Sequence, residues 1–214
     1  KHTSPAGVEI SNGQISDIEK KIYDIESYDL SNSPTAEAFI KARNADPLSS
    51  FGDFISISGI VDEICARLIS REVSDGIIAR GYTPEALEIL KKKKKGNYII
   101  LEGLYNYQYK DLEFREIMGF TLSQKANNMF LSNDDFKNIV SKQKTRENWE
   151  EIKNDLILAT ITLKYTPSNS ISFAQDGVVI GVGAGQQNRV DCIKLAGRKS
   201  LVWRLRRHPK VLEL

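Results

Sequence analysis

Lys1 and His2 place an ammonium group beside an imidazole at the head of the chain. An imidazole titrates near neutral pH and can take a proton from an attacking group, while a cation steadies negative charge developing on an oxygen. The plainer alternative is a frayed polar terminus. His208, ahead of Pro209, is the only other histidine and is open to the same bland reading. Further along, Gly181-Val182-Gly183-Ala184-Gly185-Gln186-Gln187 joins a strand-like run to a helix-like one, and small residues there let backbone N–H groups approach an anion. The spacing matches neither G-x-G-x-x-G nor a P-loop, so a plain turn stands beside the anion reading. Ser168-Asn169-Ser170 precedes another strand-like run; polar loops of this kind face clefts or satisfy their own turns. Asp75-Gly76 marks a strand entry and supplies one carboxylate.

Two basic runs need a separate account. Lys91 to Lys95 close a helical pattern just before Gly96, which fits a cationic helix C-terminus facing water, with RNA binding as the alternative. Arg204, Arg206, Arg207, His208 and Lys210 form a second cluster, expected to pair either with residues beyond this chain or with a ligand. Two histidines and two isolated cysteines, Cys65 and Cys192, cannot build an H-x-E…C-x-x-C zinc site. The cysteines read as reduced core thiols of a cytoplasmic protein. An apolar share of 41 % and a charged share of 27 % fit a globular chain and not a disordered one. No apolar run approaches the ~18 residues of a spanning helix, so no membrane partner is expected. Thirty Lys and Arg against 28 Asp and Glu leave a charge of +2, which removes bulk electrostatics as an argument for nucleic acid. The chain opens without methionine or a signal pattern and closes on apolar Val211-Leu212-Glu213-Leu214, so it reads as an excerpt of a longer protein.

The elements that would position these groups alternate. Ser16 with Glu19 is a capping box ahead of Ile18, Ile22 and Ile25, and Ser33-Pro34 opens a second helix that Asp46-Pro47 stops. Phe54 to Ile57 predicts a short strand, and Val61, Ile64, Cys65, Leu68 and Ile69 the buried stripe of a helix. Gly76 to Ala79 is the next strand, Thr83-Pro84 opens the next helix, and Tyr98 to Leu101 supplies a third strand. Leu104 to Asp111 reads as an exposed connection. Phe114 to Leu122 is a strand pair or one bent strand, and Ser132 with Asp135 caps a short helix carrying Phe136, Ile139 and Val140. Trp149 to Leu163 is expected to be the longest helix. A hairpin turns at Asp176-Gly177, and a last helix runs through Val190, Ile193 and Leu195. Such alternation argues for an α/β sheet covered by helices.

Six strings in fixed order are more specific than any of these features alone. They are Lys1-His2-x-Ser4-Pro5-Ala6-Gly7, Ser49-Ser50-Phe51-Gly52-Asp53-Phe54, Ile69-Ser70-Arg71-Glu72-Val73-Ser74-Asp75-Gly76, Leu163-Lys164-Tyr165-Thr166-x-Ser168-Asn169-Ser170, Gly183-Ala184-Gly185-Gln186-Gln187 and Arg207-His208-Pro209. Together they resemble the transformylase part of the bifunctional family in which AICAR (5-aminoimidazole-4-carboxamide ribonucleotide) formyltransferase is fused to IMP cyclohydrolase. The resemblance implies a cytidine-deaminase-like layered α/β/α domain with a mixed sheet and without the deaminases' zinc ligands. It implies that residues 1–214 are the first lobe of that region. The implied activity moves a formyl group from 10-formyltetrahydrofolate to the 5-amino group of AICAR, in a homodimer whose sites draw on both subunits. A monovalent cation in the fold is left open.

Matched position by position, the family's general base falls on His2 and its charge-stabilising lysine on Lys1. Nucleotide contacts fall on Gly52, Asp75, Asn169 and Arg189, and a folate contact on Val190. Asn169 is a further expected donor to the oxyanion. Three positions depart from the family pattern: Arg80 and Pro167, and Asp191 beside the folate contact. The alternative from another class is a scaffold or dimerisation lobe with no activity in isolation.

Overall fold

The computed structural model describes residues 4–13, 15–104, 107–108, 110–138, 140 and 148–213. Ser16 opens α1 (Asp17–Ile22) with a reciprocal capping box to Glu19. Ser33 caps α2 (Pro34–Ala45), whose proline lies in the first turn, where no intrahelical N–H is lost. Asp46 ends that helix and caps the single turn α3 (Pro47–Ser50). Next come β1 (Asp53–Val61), α4 (Glu63–Arg71), β2 (Ser74–Tyr82), α5 (Pro84–Lys92) and β3 (Ile99–Glu102), two successive βαβ units. Their strands are parallel in the order β1-β2-β3, with Ile55 opposite Ile77 and Ile77 opposite Ile100. Cys65, Leu68, Ile69 and Leu90 from the two crossover helices close over Ile55 and Ile77, joined by Phe39 and Ile40 of α2.

Some boundaries move. Val61, at the head of the expected helical stripe, instead ends β1, because Asp62 takes the capping position and its Oδ1 accepts from Cys65 N at 2.9 Å. The region around Phe114 is a strand pair, β4 (Leu112–Ile117) with β5 (Phe120–Lys125), turned at Met118 and Gly119 and exposed along both strands. The helix expected through Phe136 is only a 3-10 turn, Asn133–Phe136; Val140 is exposed and Ile139 lies outside the described residues.

The second half of the fold is built on a hairpin. α6 (Trp149–Lys164), β6 (Ile171–Gln175), β7 (Val178–Gly183), α7 (Arg189–Leu205) and α8 (Pro209–Leu212) complete the chain. At 17 residues α7 exceeds the 16 of α6, because its buried stripe of Cys192, Ala196, Ser200 and Trp203 carries the packing one turn further than expected. β6 and β7 are antiparallel, and Val8 to Ile10 dock beside β7: Val179 N donates to Val8 O at 2.9 Å and Ile10 N to Gly177 O at 3.0 Å. β7 is buried throughout. Val178 and Ile180 pack with Ala45 and Trp203, while Val179 and Val182 pack with Leu158. Burial on both faces accounts for its unbroken apolar run. The architecture is α/β, with parallel and antiparallel pairing in separate sheets.

Two buried polar groups stand out. Arg43 donates through Nη1 to Ser50 O at 2.6 Å and Asp53 Oδ2 at 3.0 Å, and through Nε to Glu72 Oε2 at 2.7 Å. Removing that guanidinium leaves two carboxylates without their counter-charge. Arg43→Met is therefore expected to lower unfolding free energy by about 3 kcal/mol in urea titrations. Glu9, beside the buried Lys41–Glu37 pair, has no hydrogen-bond partner for either carboxylate oxygen among the described residues. Burial pushes its pKa from 4.5 up to about 8; Lys41 pulls it down, and Glu37 and Glu19 push it further up. Between those two values the folded chain holds a proton that the unfolded chain has released, so stability falls as pH rises from about 5 to 8. Glu9→Gln should flatten that slope and raise Tm at pH 8, as measured by thermal melts across the interval.

Candidate active site

The β7–α7 junction is set by close backbone approach. A Cβ on Gly183 would lie 2.2 Å from Cys192 O, and one on Gly181 2.4 Å from Ala196 O, so glycine is what lets the helix lie on the strand. Asn188 caps α7: its Oδ1 accepts from Asp191 N at 2.9 Å and its Nδ2 donates to Asp191 Oδ2 at 2.7 Å. Asp191, one of the departures from the family pattern, is thus engaged in the cap. The small-residue turn before it holds the neighbouring loop: Gly185 N donates to Pro167 O at 3.2 Å and Gln186 N to Asn169 O at 3.3 Å. These contacts favour the plain-turn reading of this segment over a phosphate cradle.

Asn169 and Arg189 come together there. Asn169 Oδ1 accepts from Arg189 Nη2 at 3.2 Å, and its Nδ2 donates to Gln186 O and Gln187 O, both at 3.3 Å. Cys192 Sγ donates to Asn169 O at 3.0 Å, tying the loop to the helix. Arg189 and Val190 sit exposed in the first turn of α7. The Asn169 amide is held by three contacts and points its carbonyl at the guanidinium, which it orients. Its N–H groups already face carbonyls, so donation to an oxyanion requires exchanging one of them.

Gly52 and Asp75 form a second group. Gly52 has φ +69°, in the left-handed region that favours glycine, and its N–H donates to Val73 O at 2.9 Å. Asp53 then pairs with Ser74, so Gly52 and Asp75 stand together where the parallel strands β1 and β2 begin. The Asp75 carboxylate is exposed and receives Lys94 Nζ on Oδ1 at 2.6 Å.

A cavity of about 330 Å³ lies between the two groups' supporting elements, lined by Ser4, Pro5, Ala6, Ser49, Val182, Ala184, Leu195 and Lys199. Lys199 Nζ reaches Asp46 Oδ2 at 2.8 Å and Ser49 Oγ at 3.3 Å, joining α7 to α3, and Gly52 follows three residues after Ser49. The antiparallel pairing of Glu9 with Val178 carries the chain back along β7 until Ser4 meets the cavity wall. Lys1 and His2, the expected stabilising lysine and base, lie outside the described residues.

Sequence reasoning missed Lys199 and Ser49 as cavity residues and Asp46 as the carboxylate that holds Lys199; the Asp46-x-x-Ser49 cap spacing was the available signal for the last two. It also misjudged the C-terminal basic cluster, which packs within the chain. Arg207 stacks over Trp203 at 3.7 Å, bonds to Tyr23 Oη and lies 3.6 Å from Glu19, while Arg206 donates to Asn44 O and Arg204 to Gln175 Oε1. His208 caps α8 through Nδ1. Among the described residues no group of three or more His, Cys, Asp or Glu side chains is placed to hold a metal ion, and no helix is long and apolar enough to cross a membrane.

Comparison with known proteins adds an independent line. The family model described as the AICARFT/IMPCHase bienzyme matches residues 1–199. The chain is 34 % identical over 197 residues to the bifunctional purine biosynthesis protein PurH of Acetivibrio thermocellus, covering 92 % of this chain and 34 % of that protein. It is 35 % identical over 164 residues to the protein of the same name from Ruegeria sp., covering 77 % of this chain and 30 % of the relative. The chain thus spans about one third of the length of these curated relatives. With the match running from Lys1 through Lys199 and taking in both residue groups and the cavity between their supports, the chain belongs to the AICARFT/IMPCHase bienzyme family.

Proposed function

We propose that this chain is the first lobe of the transformylase region of a bifunctional purine-biosynthesis enzyme. In that reading it moves a formyl group from 10-formyltetrahydrofolate to the 5-amino group of AICAR, on the way to IMP. The observation that carries the reading is the Asn169–Arg189 pair at the N-terminus of α7, a helix whose Leu195 and Lys199 line the cavity together with Ser4, the second residue after His2. Family membership supports it.

The substrate amine is conjugated with its imidazole ring and is a poor nucleophile. His2 removes its proton as nitrogen attacks the formyl carbon, and Lys1 steadies the tetrahedral oxyanion. The proton then leaves with the departing folate nitrogen as the C–N bond of the donor breaks. Gly52 allows the nucleotide close backbone approach, Asp75 accepts hydrogen bonds from it, and Arg189 faces its carbonyl or anionic edge under the control of Asn169. Val190, exposed beside Arg189, offers an apolar contact to the folate. Full sites belong to the homodimer in this reading, and the setting is the cytoplasm. No step is assigned to a metal ion.

In the full-length protein, His2→Ala should cut formyl transfer by about 10²-fold or more while AICAR binding, read by calorimetry, persists. Near-normal turnover in that variant removes the base assignment.

A further inference from the structure

The two residue groups of the candidate site stand on different supports, and the reading above has one nucleotide touching both. Arg189 opens α7, while Gly52 follows α3. A ligand held at two places senses the spacing between them, so whatever fixes α3 against α7 bears on binding without meeting the ligand. Ala45 shares a buried cluster with Trp203, and Arg206 donates to Asn44 O, but both contacts stop at the end of α2, ahead of the break at Asp46. The Arg43 fork ties the far end of α3 to β1 and to the turn before β2, all in the Gly52 half.

Lys199 is the ionic contact that runs from α7 to α3 itself. Its Nζ reaches Asp46 Oδ2 at 2.8 Å and Ser49 Oγ at 3.3 Å, and the Lys199 and Asp46 side chains are only 24 % and 14 % exposed. Both ends of the pair are rigidly mounted. Ser49 N donates to Asp46 Oδ1 at 3.1 Å and Ser49 Oγ to Asp46 Oδ2 at 2.6 Å, so the carboxylate is already fixed by the cap it makes. On the helix, Ala196 and Ser200 flank Lys199 and lie directly on Gly181 of β7. Burial works against the Asp46 charge, yet the bonds from Lys199 and Ser49 outweigh it and hold the carboxyl below its ordinary pKa.

We infer that Lys199 is a positioning residue for the nucleotide: by holding the Asp46–Ser49 turn against α7 it sets the span between the Gly52 backbone and the Arg189 guanidinium. The inference rests on the reading of Gly52 and Arg189 as nucleotide contacts, and Lys199 acts through Asp46 and Ser49. Val190, the folate contact in that reading, lies on α7 beside Arg189 and needs no such span.

The test is steady-state formyl transfer by the full-length protein, with a melting temperature for each variant. Lys199→Met should raise the KM for AICAR about fivefold, the scale of a partly shielded ion pair, and leave the KM for 10-formyltetrahydrofolate unchanged. Asp46→Asn keeps a side-chain oxygen to cap α3 and loses the charge, so it should give the same rise. The double variant should stay at about fivefold, because both changes break one contact. Arg204→Met, which frees α7 from Gln175 of β6, should leave the KM at its starting value. An unchanged KM for AICAR in Lys199→Met, whatever its melting temperature, overturns the inference. So do a rise in Lys199→Met that Asp46→Asn does not reproduce, an additive double variant, or an equal rise in Arg204→Met. Arg189→Met separates the two levels: an unchanged KM for AICAR there defeats the nucleotide reading, whereas a rise there with none in Lys199→Met defeats the role of Lys199 alone.

Discussion

A guanidinium taken out of water is the constraint on which the start of the parallel sheet turns. Desolvating Arg43 is unfavourable unless anions and carbonyls fill its planar fork, and only a fixed arrangement of partners does so. Ser50 O, Asp53 and Glu72 supply it, and they belong to the end of α3, the first residue of β1 and the turn before β2. Fixing one rigid group therefore fixes three backbone segments. Gly52 lies between two of them and takes the left-handed conformation the short connection demands. Burial lifts the Asp53 carboxyl above its ordinary value, with the Arg43 charge acting in the opposite direction. The strand start is thus held together by opposing electrostatic effects whose balance depends on keeping water out.

The other half of the site depends on sterics instead of charge. Glycines at 181 and 183 bring the α7 backbone onto β7, and Cys192 on that helix bonds back to the loop carrying Asn169. Strand, helix and loop consequently move as one unit. A polar pair such as Asn169–Arg189 is worth more to a ligand on such a support than on a free loop, since less ordering is left to be done on binding. Lys199 makes the connection between the halves: it reaches Asp46 across 153 positions of sequence and so sets the distance from the helix to the Gly52 turn.

What was legible in the sequence is what local chemistry dictates. The capping box at Ser16 and the prolines at 34 and 84 mark helix starts, Asp46-Pro47 marks a helix stop, and the left-handed turn at Asp176-Gly177 marks the hairpin, because each acts on residues within one or two turns. The placing of Val61 failed because strand and helix both want a buried valine beside a capping aspartate, and periodicity alone does not choose. The 3-10 turn at Asn133–Phe136 has a sound cap but no buried face to propagate it. For the candidate site, ordered strings pointed to Gly52, Asp75, Asn169 and Arg189, while Lys199 carried no motif. Its role comes from contacts between segments far apart in the chain, which leave no periodic trace.

Runs of like charge in a sequence overstate the field that the folded chain presents. Arg207 is spent on Trp203, Tyr23 and Glu19, Arg206 on a backbone carbonyl, Lys93 on Glu72 O and the Tyr98 ring, and Lys94 on Asp75. Binding to a polyanion draws its free energy from cations that release counterions when they meet phosphates. A cation already serving as a structural donor has fewer counterions to release and must first break its internal contact. Two clusters that look alike by composition therefore act here as fasteners, one closing the C-terminal helix onto the N-terminal segment and the other closing a lysine turn onto the start of the central strand, where Asp75 stands.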